Sequence, residues 1–217
     1  SIVFGNGSIS GVNIKKFNTK LDRIYLRKKY GIPKNDTVIL YIGRLNPDKG
    51  IIDLVKTFNL LKKDHKNLSL VFVGFEDGIE VSSIKNNIDD NFRKNFYYFK
   101  YSLYPNHFMR LSDILCVPSY REGFGQVVVE AGACGIPSVV SNIYGLKDSI
   151  IDKKTGFFFQ VKNISNLKKK LEKLIINKSL RLKMGFNSKK RVNKYFLSKI
   201  IDKSQKNFYK KLIKDNL

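Results

Sequence analysis

The chain has 217 residues, 42% hydrophobic and 27% charged. That is the composition of an ordinary globular protein, with length for one full α/β domain or two small ones. No stretch approaches the roughly 18 uninterrupted apolar residues of a membrane-spanning helix, and the opening SIVFGNGSISG lacks the basic start and apolar run of a secretory signal. The formal charge of +23, from 41 Lys and Arg against 18 Asp and Glu, favours polyanionic partners: nucleic acid, an anionic membrane or phosphorylated small molecules. The joint richness in Lys, Asn and Ile offers a competing reading, coding bias from an AT-rich genome.

The first twenty residues carry Gly5, Gly7 and Gly11 with no clean period and read as an irregular entry segment. Regularity begins at Arg23. TVILYIG (37–43) is a β-branched apolar run that predicts a buried strand. IIDLVKTFNLLKKDH (51–65) sets Ile51, Leu54, Val55, Phe58 and Leu61 on one helical face. A second strand is predicted over 68–74, a short helix over 79–89, a third strand over 95–100, a short helix over 106–112 and a fourth strand over 113–119. GQVVVEAGACG (125–135) reads as a helix stopped by Gly135 and Pro137. Strands over 137–142 and 156–161 follow. Beyond residue 162 come lysine-rich helical patterns.

Strands alternate with helices, and most strands are continuously apolar, as strands covered on both faces are. The predicted fold is therefore α/β: a doubly wound, mostly parallel, Rossmann-like sheet with extra C-terminal helices. Such sheets bind ligands beyond the carboxyl ends of their strands, so chemistry is expected in the loops after Gly43, Gly74, Lys100, Ser119 and Asn142.

Two constellations fall in those loops. GRLNPDKG (43–50) sets Arg44 after a strand and Lys49 at the start of a helix. Two cations beside a helix N-terminus suit a diphosphate, Arg44 by its fork and Lys49 as a point charge; an exposed basic loop is the plainer alternative. PSYREGFGQVVVEAGACGIP (118–137) holds Glu122 in a glycine loop and Glu130 inside the following helix. Gly123 and Gly125 let backbone approach a ligand closely, and a carboxylate at Glu130 can accept from a vicinal diol such as a ribose. The plainer alternative makes Glu122 a helix cap and Glu130 a surface residue. Against it, Glu130 is hemmed by Val127, Val128, Val129, Ala131 and Ala133, where a charge needs a partner. Cys116 and Cys134 have no Cys or His neighbour at metal-ligand spacing and read as reduced, buried thiols.

GRLNPDKG, VFVG, DILCVPSYREGFGQVVVEAGACGIPSVVS and TGFFFQV, in that order, resemble the C-terminal domain of glycosyltransferase family 4, retaining enzymes of the GT-B fold. DKGIIDL, SYREGFG and SNIYGLKDSI are similar to bacterial transferases that assemble capsule, O-antigen or related lipid-linked glycans. The resemblance implies a linker over 1–22, a nucleotide-sugar-binding domain over 23–195 and, over 196–217, a helix that packs on a second, N-terminal domain. That second domain would bring a glycan or lipid-linked acceptor. The resemblance further implies that Arg44 and Lys49 hold the donor diphosphate and that Glu122 contacts the sugar hydroxyls, the three forming the catalytic set. Loop amides of Gly123, Phe124, Gly125, Gln126 and Val127 would contact sugar and phosphate. Glu130 would hold the ribose, Gly43 and Gly74 would line the site, and the base would lie near Lys100 and Tyr101. No metal or other cofactor is implied; the co-substrate would be a nucleotide sugar, with UDP expected. The corresponding place is the cytoplasm, with peripheral contact at an anionic membrane face. Gln126 and Gly132 depart from the residues usual at their positions without breaking the motif.

Two other classes compete. A basic nucleic-acid-binding α/β domain suits the charge, yet no recognised nucleic-acid motif is present, so no specific nucleic acid is expected. An NAD-dependent enzyme needs G-x-G-x-x-G after the first strand, and GRLNPDKG does not supply it. The aromatic run FYYFKYSLY (96–104) reads as a strand and its loop. His65, at a helix end, and His107, in a loop after Pro105, have no suitably spaced acid or serine and receive no catalytic role.

Overall fold

The structure, a computed structural model, describes residue 8, residues 10–17 and residues 21–215; parts of the expected linker and of the closing helix lie outside these. In chain order the elements are α1 (Ile14–Phe17), α2 (Arg23–Lys29), β1 (Thr37–Ile42), α3 (Ile51–Asp64), β2 (Leu68–Val73), α4 (Val81–Asn86), β3 (Phe96–Phe99) and α5 (Pro105–Leu111). They continue with β4 (Ile114–Val117), α6 (Gln126–Ala133), β5 (Ser138–Ser141), β6 (Gly156–Phe159), α7 (Ile164–Ile176), α8 (Lys178–Tyr195) and α9 (Ser198–Asp215).

The six strands form one sheet in the order β3-β2-β1-β4-β5-β6, and every pair in it is parallel. The continuously apolar strands explain this: alternate residues of β1 enter different cores. Ile39 and Tyr41 join α3, α4 and α7 on one face; Val38 and Leu40 join α2, α5, α6 and α8 on the other. Strand direction reverses its order of progress between β1 and β4, which makes the crevice beyond their carboxyl ends the topological switch point. The loops following β1 and β4 are the ones that carry GRLNPDKG and YREGFG.

Helix starts follow local chemistry. Asp22 accepts from the Ile24 amide at 2.7 Å, Asn163 from Asn166 at 2.8 Å and Asn177 from Leu180 at 2.8 Å, each meeting an amide the helix leaves unpaired. α6 differs: its cap is Gly125, which has no side chain to offer, and backbone carbonyls of Phe124 and Gly125 take the Gln126, Val128 and Val129 amides.

Three expectations are corrected. The entry segment is not wholly irregular, because Ile14–Phe17 form one helical turn, anchored by buried Phe17. His107 lies within α5, in keeping with the helix expected over 106–112 and against the loop reading given to the histidine, since Pro105 opens the helix at a position where its missing N–H costs nothing. Cys116 is a buried free thiol, whereas Cys134 is only partly buried.

Candidate functional site

The loops after β1 and β4 are joined by backbone. The Tyr120 amide donates to the Asp48 carbonyl at 2.7 Å, and Gly50 packs so close that an added Cβ would lie 2.1 Å from the Pro118 carbonyl oxygen. Gly50 also has φ of +61°, so glycine is needed there for both space and conformation. This junction brings Lys49 to Glu122: Nζ donates to Oε1 at 2.7 Å, with the lysine 16% and the glutamate 21% exposed. Ser119 Oγ donates to the same carboxylate oxygen at 2.9 Å. Glu122 therefore caps no helix, the N-cap of α6 being Gly125; its carboxylate is held by Lys49 and Ser119.

At the ends of β1 and β2, Gly43 and Gly74 pass in near contact. A Cβ on Gly74 would meet the Gly43 carbonyl oxygen at 1.8 Å, and Tyr98 donates to the Gly74 carbonyl at 2.9 Å. Arg44 is half exposed and pairs with Asp77 at 2.6 Å, while Asn46 also reaches Asp77 at 3.0 Å. A cavity of about 340 Å³ opens beside this edge, lined among others by Gly43, Arg44, Gly74, Tyr101, Val127 and Glu130. That volume lies in the range of small-molecule sites. Glu130 is mostly buried, and burial raises its pKa above the ordinary value, opposed by a hydrogen bond from Gln126 and by Lys16.

The expected site residues thus fall into two adjoining groups. Glu130, Arg44, Gly43, Gly74, Tyr101 and Val127 share the cavity; Lys49 and Glu122 form a pair outside its lining. Lys100 is exposed and does not line the cavity. In the connecting loop, an added Cβ on Gly123 meets nothing within 4 Å, whereas one on Gly125 would strike Leu146. Phe124 turns inward against Phe196 at 6.0 Å between ring centroids. Gln126 spends its side-chain amide on the Gly11 carbonyl at 2.8 Å, and its backbone N–H bonds the Phe124 carbonyl at 2.7 Å.

Several contributors have no local sequence signal. Lys16, from α1, lines the cavity opposite Glu130 in sequence but beside it in space. Asp77 and Ser119 hold Arg44 and Glu122. Gly145 lies so close to the Glu122 carbonyl that a Cβ would be 1.8 Å away. Phe75, Ser102 and Leu103 also line the cavity.

The family model for glycosyl transferases group 1 matches residues 22–191. This chain belongs to that family. CapM of Staphylococcus aureus, a capsular polysaccharide biosynthesis glycosyltransferase, is 32% identical over 99% of this chain and 56% of its own length. The Escherichia coli UDP-Gal:alpha-D-GlcNAc-diphosphoundecaprenol alpha-1,3-galactosyltransferase is 27% identical over 85% of this chain and 51% of its own. The solved structure of Anabaena HepE in complex with UDP shares the fold, with a TM-score of 0.84 at 20% identity over 93% of this chain and 56% of that one. The chain spans about half the length of the curated relatives it matches.

Proposed function

We propose that this chain binds the nucleotide sugar of a retaining glycosyl transfer, with UDP as the nucleotide and a hexose or N-acetylhexosamine as the sugar. The observation that carries the proposal is the Lys49–Glu122 pair at 2.7 Å, its glutamate in the loop that leads into α6, whose N-cap is Gly125, with a cavity lined by Glu130 beside it. In this reading the ribose diol bonds Glu130, whose buried carboxylate gains acceptor work that water no longer supplies. The diphosphate meets Arg44, Lys49 and the amino end of α6, whose dipole adds positive potential although the Gln126, Val128 and Val129 N–H groups already bond the Phe124 and Gly125 carbonyls; these are fixed positive groups where negative charge develops as the bond to the sugar breaks. Lys49 has three donors, so it can serve a phosphate while keeping Glu122. Glu122 is left with its other oxygen for a sugar hydroxyl, and the open space at Gly123 admits the ring.

Support for UDP comes from the galactosyltransferase relative and from the HepE complex; support for a polysaccharide or lipid-linked acceptor comes from the named activities of CapM and the galactosyltransferase. The acceptor and any second domain belong to this proposal, as does a peripheral position at a cytoplasmic membrane face. Weak electrostatic binding to anionic vesicles would accompany that position, lost at physiological salt where the Debye length is about 8 Å.

Calorimetry tests the donor assignment. Glu130→Ala should weaken UDP, and Glu122→Ala should weaken a UDP-sugar more than UDP, each by roughly 1.5–3 kcal/mol for a lost charge-assisted hydrogen bond. Equal effects of both substitutions on both ligands would reject the assignment, as would an oligonucleotide that binds in place of UDP.

A further inference from the structure

At the amino edge of the sheet, far along the strands from the loops just described, charge is distributed differently. There Arg23 Nη2 and Arg181 Nε approach Oδ1 of Asp113 at 2.7 and 3.9 Å. Oδ2 of the same carboxylate takes Arg27 Nη2 at 2.9 Å and the Val38 amide at 2.8 Å. One acid thus serves three guanidinium groups. Arg27 is 3% exposed and is occupied: its Nε donates to the Leu111 carbonyl at 2.9 Å, and Nη1 to the carbonyls of Lys34 and Asp36, each at 2.8 Å. It forms the floor. Arg181 is pinned through Nη1 to the carbonyls of Leu174 and Ile175, the second at 2.8 Å, which closes the end of α7 and sets the guanidinium over Asp113.

Around this floor lie two depressions of about 150 and 460 Å³ that share Arg23, Asp113, Lys178 and Arg181. The first adds Arg110 and Ser112; the second adds Arg27, Lys34 and Asp36. Among the described lining residues, six are cations and two are acids, and one of those acids, Asp36, already accepts the Ser69 hydroxyl at 2.6 Å. At the opposite edge Lys49 pairs with Glu122 and Arg44 with Asp77, one acid to each. Burial, then the neighbouring Arg23, lowers the pKa of Arg27. Burial likewise lowers that of Arg181, with Asp113 opposing and Arg23 adding to the effect.

We propose that this depression is a second anion site, taking a phosphate-class oxyanion between Arg23, Arg110, Lys178 and Arg181. The basic character of the whole chain does not account for it. Most of the surface lysines stand on solvated helix faces, whereas here Arg27 and Arg181 have side chains only 4% and 11% exposed and are fixed by backbone carbonyls. Arg27 and the Nη1 of Arg181 are spent on the protein, so they hold the floor rigid while Arg23, Arg110, Lys178 and the outer face of Arg181 meet the oxyanion, which accepts from several N–H donors at once. Concentrating cations in a concavity raises the free energy of the empty site, and an anion there relieves it. The same phosphate chemistry is offered by soluble phosphate esters and by a phospholipid headgroup; exposed Ile24 and Leu182 stand at the rim.

The test is calorimetry of the 217-residue chain with inorganic phosphate and pyrophosphate, at constant ionic strength and with UDP saturating the other edge. The double variant Arg23→Gln/Lys178→Gln should bind phosphate at least about tenfold more weakly, the loss expected for charge-assisted bonds, with UDP affinity unchanged. The charge-matched control Lys199→Gln/Lys203→Gln on α9 should bind phosphate as the parent does. An equal loss in that control would show diffuse attraction only and overturn the site. So would loss of phosphate binding in Lys49→Gln, unaltered binding in the Arg23/Lys178 variant, or no saturable phosphate binding. Sedimentation with phosphatidylglycerol vesicles, against phosphatidylcholine alone, separates the sources: loss of vesicle binding in the same double variant assigns the oxyanion to a lipid headgroup, and phosphate binding without it assigns a soluble ester.

Discussion

Gly145 and Gly123 make opposite demands on the same loop. A Cβ built on Gly145 would lie 1.8 Å from the Glu122 carbonyl oxygen and 2.9 Å from that of Gly123. Carbon-to-oxygen contacts are tolerated from about 3.3 Å, so in Gly145→Ala the Glu122–Gly123 backbone must retreat by about 1.5 Å. Gly145 is not in the left-handed region, so alanine itself is unstrained there and the cost falls on the loop. Overpacking of this kind costs about 1–3 kcal/mol, which lowers Tm by about 2–12 °C at this chain length. The retreat also carries Glu122 away from Lys49, and a displacement near 1 Å in a binding constellation can cost about 100-fold. Gly123→Ala should do the reverse: its added Cβ meets nothing, so Tm stays within about 1 °C of the parent, yet UDP-sugar binding falls because the methyl occupies the space assigned to the donor. Differential scanning calorimetry and titration with UDP and a UDP-sugar measure both. If Gly145→Ala binds the UDP-sugar within twofold of the parent, or Gly123→Ala binds it normally, the placement of the sugar over this loop is wrong.

Glu130→Gln should remove a pH dependence. Burial raises the Glu130 pKa, so the folded state holds its proton more tightly than the unfolded chain; the stabilisation is full below the ordinary value of 4.5 and is lost as pH rises through the higher folded value. Denaturant titrations at pH 4 and pH 7 should show the variant gaining on the parent at pH 7, and no change in their difference would count against a desolvated carboxylate. Arg27→Met should cost about 3–5 kcal/mol by leaving the carbonyls of Leu111, Pro33, Lys34 and Asp36 without their buried donor and removing one of the cations that Asp113 serves; urea unfolding that shows less than about 1 kcal/mol would mean the amino edge is held by other contacts. If the diphosphate is met by Arg44, Lys49 and the amino end of α6 alone, 5 mM EDTA (roughly) leaves UDP affinity unchanged, since no ion supplies the charge; a tenfold loss in titration calorimetry would reject metal-free binding.

The sheet was legible because its strands advertise burial on both faces. TVILYI and LSLVFV each run without a charge, and each sends alternate residues into separate cores. Glycine at the strand ends was equally readable as punctuation, and the structure gives the reason: Gly74 passes Gly43 at a distance no side chain fits. Short elements were harder. The turn at Ile14–Phe17 has four residues, too few to display a helical period, and it forms because Phe17 is buried against the second core. His107 received two readings, in the helix over 106–112 and in a loop, because Pro105 marks a helix start as readily as a loop; the structure has the helix.

The site divides along the same line. Lys49, Glu122 and Glu130 stand in motifs whose residues are neighbours in sequence, and so the motifs announce them. Their supports come from far away: Lys49 meets Glu122 across 73 positions, Arg44 meets Asp77 across 33, and Arg27 meets Asp113 across 86. No local pattern encodes such a pairing; it exists only once the parallel sheet has set the loops in register. Gln126 shows how this changes a residue's meaning. In sequence it is a loop residue offering an amide. In the fold its side chain donates to the Gly11 carbonyl at 2.8 Å and accepts from the Ser8 hydroxyl at 3.3 Å, so one residue ties the segment before α1 to the first turn of α6 by contacts that no motif records.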